Sequence, residues 1–182
     1  VEPREFPATV DGVDLSLVSV PGTFSAGHLD HGTRLLLETA ATADGERVLD
    51  LCCGYGPVGA YASSVADCDL WLTDDDAVAT ACAERTLAAT GVDGTVVTAD
   101  AMSGVADRRF DRILSNPPTH AGDGVLADLF SGMAHVLAAD GRATVVHHRS
   151  LDLSRHFERF GSVETVATGA EHVVVGVSGG RS

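Results

Sequence analysis

From Arg47 onward, short apolar runs alternate with longer stretches in which apolar residues return every three or four positions. The first pattern predicts strand and the second helix, because side chains repeat every 2 residues along a strand and every 3.6 around a helix. Strands are predicted over Arg47–Cys52 (interrupted only by Asp50), Asp69–Thr73, Gly94–Thr98, Phe110–Ser115, Arg142–His147, Ser162–Ala167 and His172–Val177. Helices are predicted over Val58–Ala66, Ala77–Ala89 and Val125–Ala138, with a short one near Met102–Val105. Apolar strands separated by helices describe a parallel sheet covered on both faces. Only Thr168–Glu171 separates the last two strands, too little chain for a crossover, so these two are expected to form an antiparallel hairpin. The predicted fold class is therefore α/β, with a mostly parallel seven-stranded sheet and one antiparallel strand.

Ahead of this unit, Phe6–Val20 alternates around Asp11-Gly12, a hairpin signal that predicts a small N-terminal β extension. Pro21–Asp30 is rich in Gly and turn formers, and Thr33–Ala40 reads as a helix. This leading segment is expected to cap one end of the sheet. The 182 residues fit one domain, with residues 1–40 as extension and 41–182 as core. A chain of this length buries about 70% of its unfolded surface, so neither disulfide nor metal is required.

A hydrophobic content of 45% excludes intrinsic disorder. No apolar run reaches the roughly 18 residues of a membrane span, and no signal peptide opens the chain, so a cytoplasmic protein is expected. Twelve arginines, no lysine, and 18 Asp against 8 Glu give a net charge of −14. That balance excludes a protein held to nucleic acid or anionic lipid mainly by a basic face. It also suggests a halophilic solvent, because molar salt shortens the Debye length to about 3 Å and screens the self-repulsion. Cys52 and Cys53 are adjacent, while Cys68 and Cys82 stand alone, so no zinc-ligand spacing exists and no metal is expected.

The strongest local feature runs from Val48 to Gly59, where an apolar strand enters a glycine-rich turn and Pro57 pre-sets the following helix. Gly54, Gly56 and Gly59 satisfy the spacing of a dinucleotide-binding turn, and Asp74 follows at the end of the next strand, where an acid binds ribose hydroxyls. Asp50 tilts the choice away from a dinucleotide. A carboxylate four residues before the first glycine adds nothing for a pyrophosphate, but it suits a ligand with a cationic amino-acid portion.

Ile113-Leu114-Ser115-Asn116-Pro117-Pro118 decides the chemistry. The residue before a proline is pushed out of the helical region, which presents Asn116 at the strand tip. Its side-chain oxygen and the Pro117 carbonyl can accept both hydrogens of a planar –NH2 group and aim the nitrogen lone pair at an electrophilic methyl. Methyl transfer is the chemistry this arrangement suits.

With these motifs, the chain resembles the class I S-adenosylmethionine-dependent methyltransferases of the small methyltransferase family, with their Rossmann-like fold. The resemblance includes Pro21-Gly22-Thr23-Phe24-Ser25, Leu29-Asp30-His31-Gly32-Thr33, the Asp50–Gly56 loop, Asp74 and Asn116-Pro117-Pro118. Within the family it is most similar to ribosomal RNA guanine-N2 methyltransferases and their single-domain archaeal counterparts. The resemblance implies that Asp50, Cys52, Cys53, Gly54 and Gly56 hold the methionine part of S-adenosylmethionine. Asp74, with Asp75 beside it, would hold the ribose, and Asp100, Ala101 and Met102 the adenine. Asn116, Pro117 and Pro118 would hold the target amine, and Phe24 with Gly32-Thr33 would fold over the site as a lid. Bacterial members carry a further N-terminal domain, so substrate docking is expected to differ here or to use a partner protein or a homodimer.

One departure concerns the acceptor. The family usually places Phe or Tyr after the prolines, where its ring stacks on the target; here the residue is Thr119. Phe24, Tyr55 and His120 are candidates to supply that surface. Arg108, Arg109 and Arg112 form the densest positive cluster, either for RNA phosphate or as a solvated turn. The expected acceptor is guanine N2 in ribosomal RNA or a ribosomal particle. A protein glutamine N5-methyltransferase and a noncatalytic cofactor-binding module are the alternatives.

Overall fold

The computed structural model describes residues 2–21 and 27–179. Along the chain come β1 (Arg4–Val10), β2 (Val13–Ser19), α1 (His31–Thr39), β3 (Arg47–Leu51), α2 (Pro57–Val65), β4 (Asp69–Asp74) and α3 (Ala77–Thr90). Then follow β5 (Thr95–Thr98), β6 (Phe110–Ser115), α4 (Asp123–Val136), β7 (Leu137–His148), α5 (Ser154–Phe157), β8 (Ser162–Thr168) and β9 (His172–Ser178). Seven strands form one sheet in the order β5-β4-β3-β6-β7-β9-β8. The pairs from β5 to β7 are parallel, and β9 runs antiparallel to both β7 and β8. The fold is the predicted Rossmann-like α/β arrangement, with β9 as the reversed strand.

Alternation along the strands divides the core. Val48, Leu72, Leu114, Val146 and Val174 pack on the side of α1, α2 and α3, whereas Leu49, Ile113, Val145 and Val175 pack with α4 and α5. Capping fixes the helix entries. Asp30 accepts from the Thr33 N–H at 3.1 Å and Asp76 from the Val78 N–H at 2.9 Å, and α3 ends on a left-handed Gly91.

The N-terminal hairpin turns at Asp11 (φ 47°) and Gly12 (φ 76°), the two left-handed residues a tight hairpin requires. It does not cap an end of the sheet as expected. It lies on the helix layer, where the Val18 and Ser16 N–H groups donate to Thr86 Oγ1 (2.9 Å) and Thr90 Oγ1 (3.1 Å) of α3. The apolar stripe of β2 thus meets a helix whose threonines satisfy its free edge.

Three local expectations are corrected. Met102–Val105 forms only successive turns, and Gly104 sits so close to β5 that a Cβ there would lie 2.6 Å from Val97 Cγ1. β7 starts at Leu137 rather than Arg142, because α4 leads straight into it and Leu137 pairs with Phe110 before a register shift. The four-residue α5 lies where no element is expected; its His156 stacks on Phe130 of α4, and Phe157 meets the same ring edge-on. Among the described residues no helix is long and apolar enough to cross a membrane.

Candidate active site

The carboxyl ends of β3, β4, β6 and β7 open into a cleft of about 870 Å³, completed by Thr33 of α1 and the turn after β5. This end of an open α/β sheet is where ligands bind, because the chain splays there on its way to helices on either side. Asp11, Cys52 and Ala101 are the non-glycine residues with left-handed φ among the described ones, and Cys52 (58°) and Ala101 (47°) both line the cleft. Such strained residues concentrate at functional sites.

The glycine loop is preformed. The Cys53 N–H donates to the Thr73 carbonyl, the Gly54 N–H to Asp74 Oδ2 and the Gly56 N–H to the Cys53 carbonyl, each at 2.9 Å. These three amides are thereby unavailable to cradle a pyrophosphate. Gly56 (φ 88°) lets the chain pass α3, since a Cβ there would stand 3.1 Å from Ala83 Cβ. Both neighbouring thiols are driven up by burial and the surrounding acids, Cys52 to about 12, so they are uncharged packing groups.

Asp50 is buried to 1% exposure inside β3. Its Oδ2 accepts the Gly59 N–H at 2.9 Å, and none of the ion pairs among the described residues includes it. Burial holds its carboxyl well above the ordinary range, against the opposing pull of that hydrogen bond. It is therefore both a structural clasp between β3 and α2 and an acid without a cation among the described residues. Asp74 accepts from the Gly54 N–H through Oδ2 and from the Asp76 N–H through Oδ1, and burial raises its pKa despite both bonds. Asp75 and Asp100 are exposed at the rim, and Met102 is buried, its side chain lying where Gly132 of α4 lacks a Cβ. Thr73 Oγ1 and Tyr55 Oη, both on the cleft, have no partner among the described residues.

On the other side stands Asn116, half-buried just past β6. Its Nδ2 donates to Thr33 Oγ1 at 3.3 Å, which leaves Oδ1 as the acceptor facing away from that bond. Thr33 is itself fixed, at 5% exposure, through its N–H to Asp30. The Pro117 carbonyl accepts the Thr119 N–H at 2.9 Å and keeps one lone pair. Ser115 Oγ donates to the Leu51 carbonyl at 2.8 Å and ties the base of this segment to β3.

The family model of the methyltransferase small domain matches residues 14–176. The chain belongs to the methyltransferase small-domain family. It is 40% identical over 159 residues to the ribosomal RNA small subunit methyltransferase C of Actinobacillus succinogenes, covering 84% of this chain and 47% of that protein. The Vibrio vulnificus protein of the same name is 43% identical over 121 residues, covering 65% and 35%. The chain thus spans half or less of the length of these relatives. Among solved structures, the Thermus thermophilus 16S rRNA N2 G1207 methyltransferase, in complex with AdoMet and guanosine, superposes with a TM-score of 0.90. That match is 26% identical and covers 98% of this chain and 51% of the other. A Pyrococcus furiosus methyltransferase at 18% identity and TM-score 0.73, covering 91% and 89%, shares the fold.

In this member of the small-domain family, the structure brings Asp50, Cys52, Cys53, Gly54, Asp74, Asp75, Asp100, Ala101, Asn116, Pro117, Pro118, Thr119 and His120 to one cleft. Gly56 and Met102 are buried and are not among its lining residues, and Phe24 lies outside the described residues. Tyr55 is not free to stack on an acceptor, since its ring packs on Phe6 of β1 with centroids 6.0 Å apart. The arginine cluster lies at the opposite end of β6: Arg112 pairs with Glu46 at 3.0 Å, and the Arg108 guanidinium covers the Trp71 ring at 3.9 Å. Those cations are engaged away from the cleft. Not legible in the sequence are Thr33 as the partner of Asn116 and the cleft-lining histidines His147, His148 and His172. Only strand pairing reveals the histidines, although Gly32-Thr33 stood in a recognised motif.

Proposed function

We propose that this chain is an S-adenosylmethionine-dependent N-methyltransferase whose acceptor is guanine N2 of ribosomal RNA. The observation that carries the reading is Asn116, held at the tip of β6 with its amide oxygen left as an acceptor, in one cleft with Asp50 and Asp74. The similarity to a protein solved with AdoMet and guanosine supports both ligands.

The residues present fit the cofactor. A buried carboxylate outside every described ion pair suits an ammonium group, and a loop whose amides are already spent suits a ligand without phosphate. Asp50 and the Cys52–Gly56 loop would hold the methionine part. Asp74, with Asp75, would take the ribose hydroxyls, and Asp100, Ala101 and Met102 would bound the adenine. When bound, S-adenosylmethionine supplies a methyl group on a positively charged sulfur.

The chain's own part is positioning, the dominant contribution when the electrophile arrives already activated. Asn116 Oδ1 and the free lone pair of the Pro117 carbonyl accept the two hydrogens of the acceptor amine. They orient its lone pair and stabilise the positive charge that grows on nitrogen. The surplus proton leaves to water afterwards, so no side chain has to act as a strong base.

The 182 residues act as one methyltransferase domain, with a homodimer or a partner protein assisting substrate docking. The acid-rich, lysine-free composition supports a salt-rich cytoplasm as its setting. The acceptor class is tested with labelled S-adenosylmethionine in molar salt, offered unmodified ribosomal RNA and a protein extract in parallel. Label in RNA that nuclease digestion returns as N2-methylguanosine is expected. Label in glutamine amides would move the assignment to protein methylation, and tight cofactor binding without transfer would make the chain a noncatalytic module.

A further inference from the structure

We infer that His148 and His172 form the wall on which the acceptor base rests, in place of the aromatic side chain missing after Pro118. This rests on the reading of guanine as acceptor and adds the residues that recognise its ring. Sheet register puts the two histidines there. Ser115 pairs with Val145, so the next pleat sets Asn116 beside Val146, and His148 lies one pleat further along β7. Residues two apart share a face. Val146 packs on the α1 side of the sheet, so His148 emerges on the side where Asn116 meets Thr33. With strands about 4.8 Å apart and a rise of about 3.3 Å per residue, this diagonal step is about 8 Å, within reach of a ring whose amine is held at Asn116.

His172 faces His148 across β7 and β9, and the two rings meet edge to face with centroids 5.5 Å apart at 70°. Gly32 makes room for the second ring. A Cβ at that position would lie 2.8 Å from His172 Cδ2 and 2.9 Å from Nε2. The first turn of α1 is thus hollowed beside Thr33 to receive an imidazole.

His148 is oriented by its neighbour. Its Nδ1 accepts the Ser150 N–H at 3.1 Å and lies 2.7 Å from Ser150 Oγ, so the neutral ring carries its proton on Nε2. That N–H is a donor for a ring nitrogen, a carbonyl or a phosphate oxygen. Among the described residues no arginine lines the cleft, whereas seven aspartates do, Asp50, Asp74 and Asp128 among them. Imidazoles are therefore the nitrogen-bearing rings with which this cleft can meet RNA. His147 is excluded from the wall, since its Nδ1 bonds the His148 carbonyl at 2.8 Å and its ring lies near Phe157. Histidine presents a flat π-face on which a base can stack.

The test is steady-state methylation of unmodified small-subunit ribosomal RNA, with KM for RNA and for S-adenosylmethionine measured separately. Guanosine binding is followed by saturation-transfer NMR in the presence of S-adenosylhomocysteine. The His148→Ala/His172→Ala protein is expected to raise KM for RNA and weaken guanosine about tenfold, with KM for S-adenosylmethionine unchanged. Adding Thr119→Phe to that pair should bring both back to within about threefold of wild type, a rescue that a merely structural role would not permit. Unchanged KM and guanosine affinity in the double variant, or no rescue by the Thr119→Phe substitution, would overturn the wall while leaving the methyltransferase reading intact. If wild type transfers nothing to RNA, or Asn116→Ala is fully active, that reading fails and the wall falls with it.

Discussion

Two side-chain contacts divide the work of the cleft. Thr33 Oγ1 takes the amide hydrogen of Asn116 at 3.3 Å and so decides which end of the amide meets the acceptor. Thr33→Val keeps the shape and removes the oxygen, and a fall of about tenfold in kcat is expected, with KM for S-adenosylmethionine unchanged. Thr33→Ser should restore the rate, and in an Asn116→Ala background the valine should cost nothing further. Asp50 carries the opposite kind of tension. Its folded carboxyl is raised, so between the ordinary value and the raised one the folded state holds more protons than the unfolded chain. Its contribution to stability therefore declines as pH rises through that window. Asp50→Asn keeps an oxygen for the Gly59 N–H and loses the charge. Urea titrations at several pH values should show the variant no less stable than wild type at neutral pH and less dependent on pH. Calorimetry should show S-adenosylmethionine bound roughly 10–100-fold more weakly, the scale of a lost charge-assisted bond.

At the scale of elements, periodicity and turn chemistry carried most of the fold. Asp11-Gly12 marked the hairpin because two successive left-handed residues suit few other pairs, and Pro57 marked a helix start for an equally local reason. What stayed hidden depends on contacts far apart in sequence. Ala138 reads as the end of the preceding helix and the next strand as starting at Arg142, yet 138–141 lie within β7, because the flanking Leu137 and Arg142 pair with Phe110 and Arg112. The Asn116 motif was legible in itself, but its partner Thr33 is 83 residues away and its histidine neighbours come from two other strands. The place of the hairpin was hidden for the same reason, since Thr86 of α3 receives the Val18 N–H across 68 residues at 0% exposure. Thr86→Val would leave that N–H buried without a partner and is predicted to cost about 1–3 kcal/mol, read as a lower urea midpoint.

For the whole molecule, a charge of −14 without lysine meets a cleft lined by acids, so ionic strength acts on folding and on RNA binding together. Screening should raise the urea midpoint steadily from low salt to about 2 M KCl, where the Debye length is at or below about 3 Å. A flat or falling midpoint would remove the halophilic reading. The same screening lets a polyanion approach a surface that repels it in dilute buffer. That this cleft transfers a methyl group to an amine held by Asn116 is tested by one comparison in molar salt. Wild type and Asn116→Ala are given labelled S-adenosylmethionine and unmodified ribosomal RNA, after calorimetry has shown equal cofactor affinity. N2-methylguanosine is expected from wild type and at least about a hundredfold less from the variant, the scale of losing an acceptor aimed at developing charge. Equal product from both proteins would contradict it.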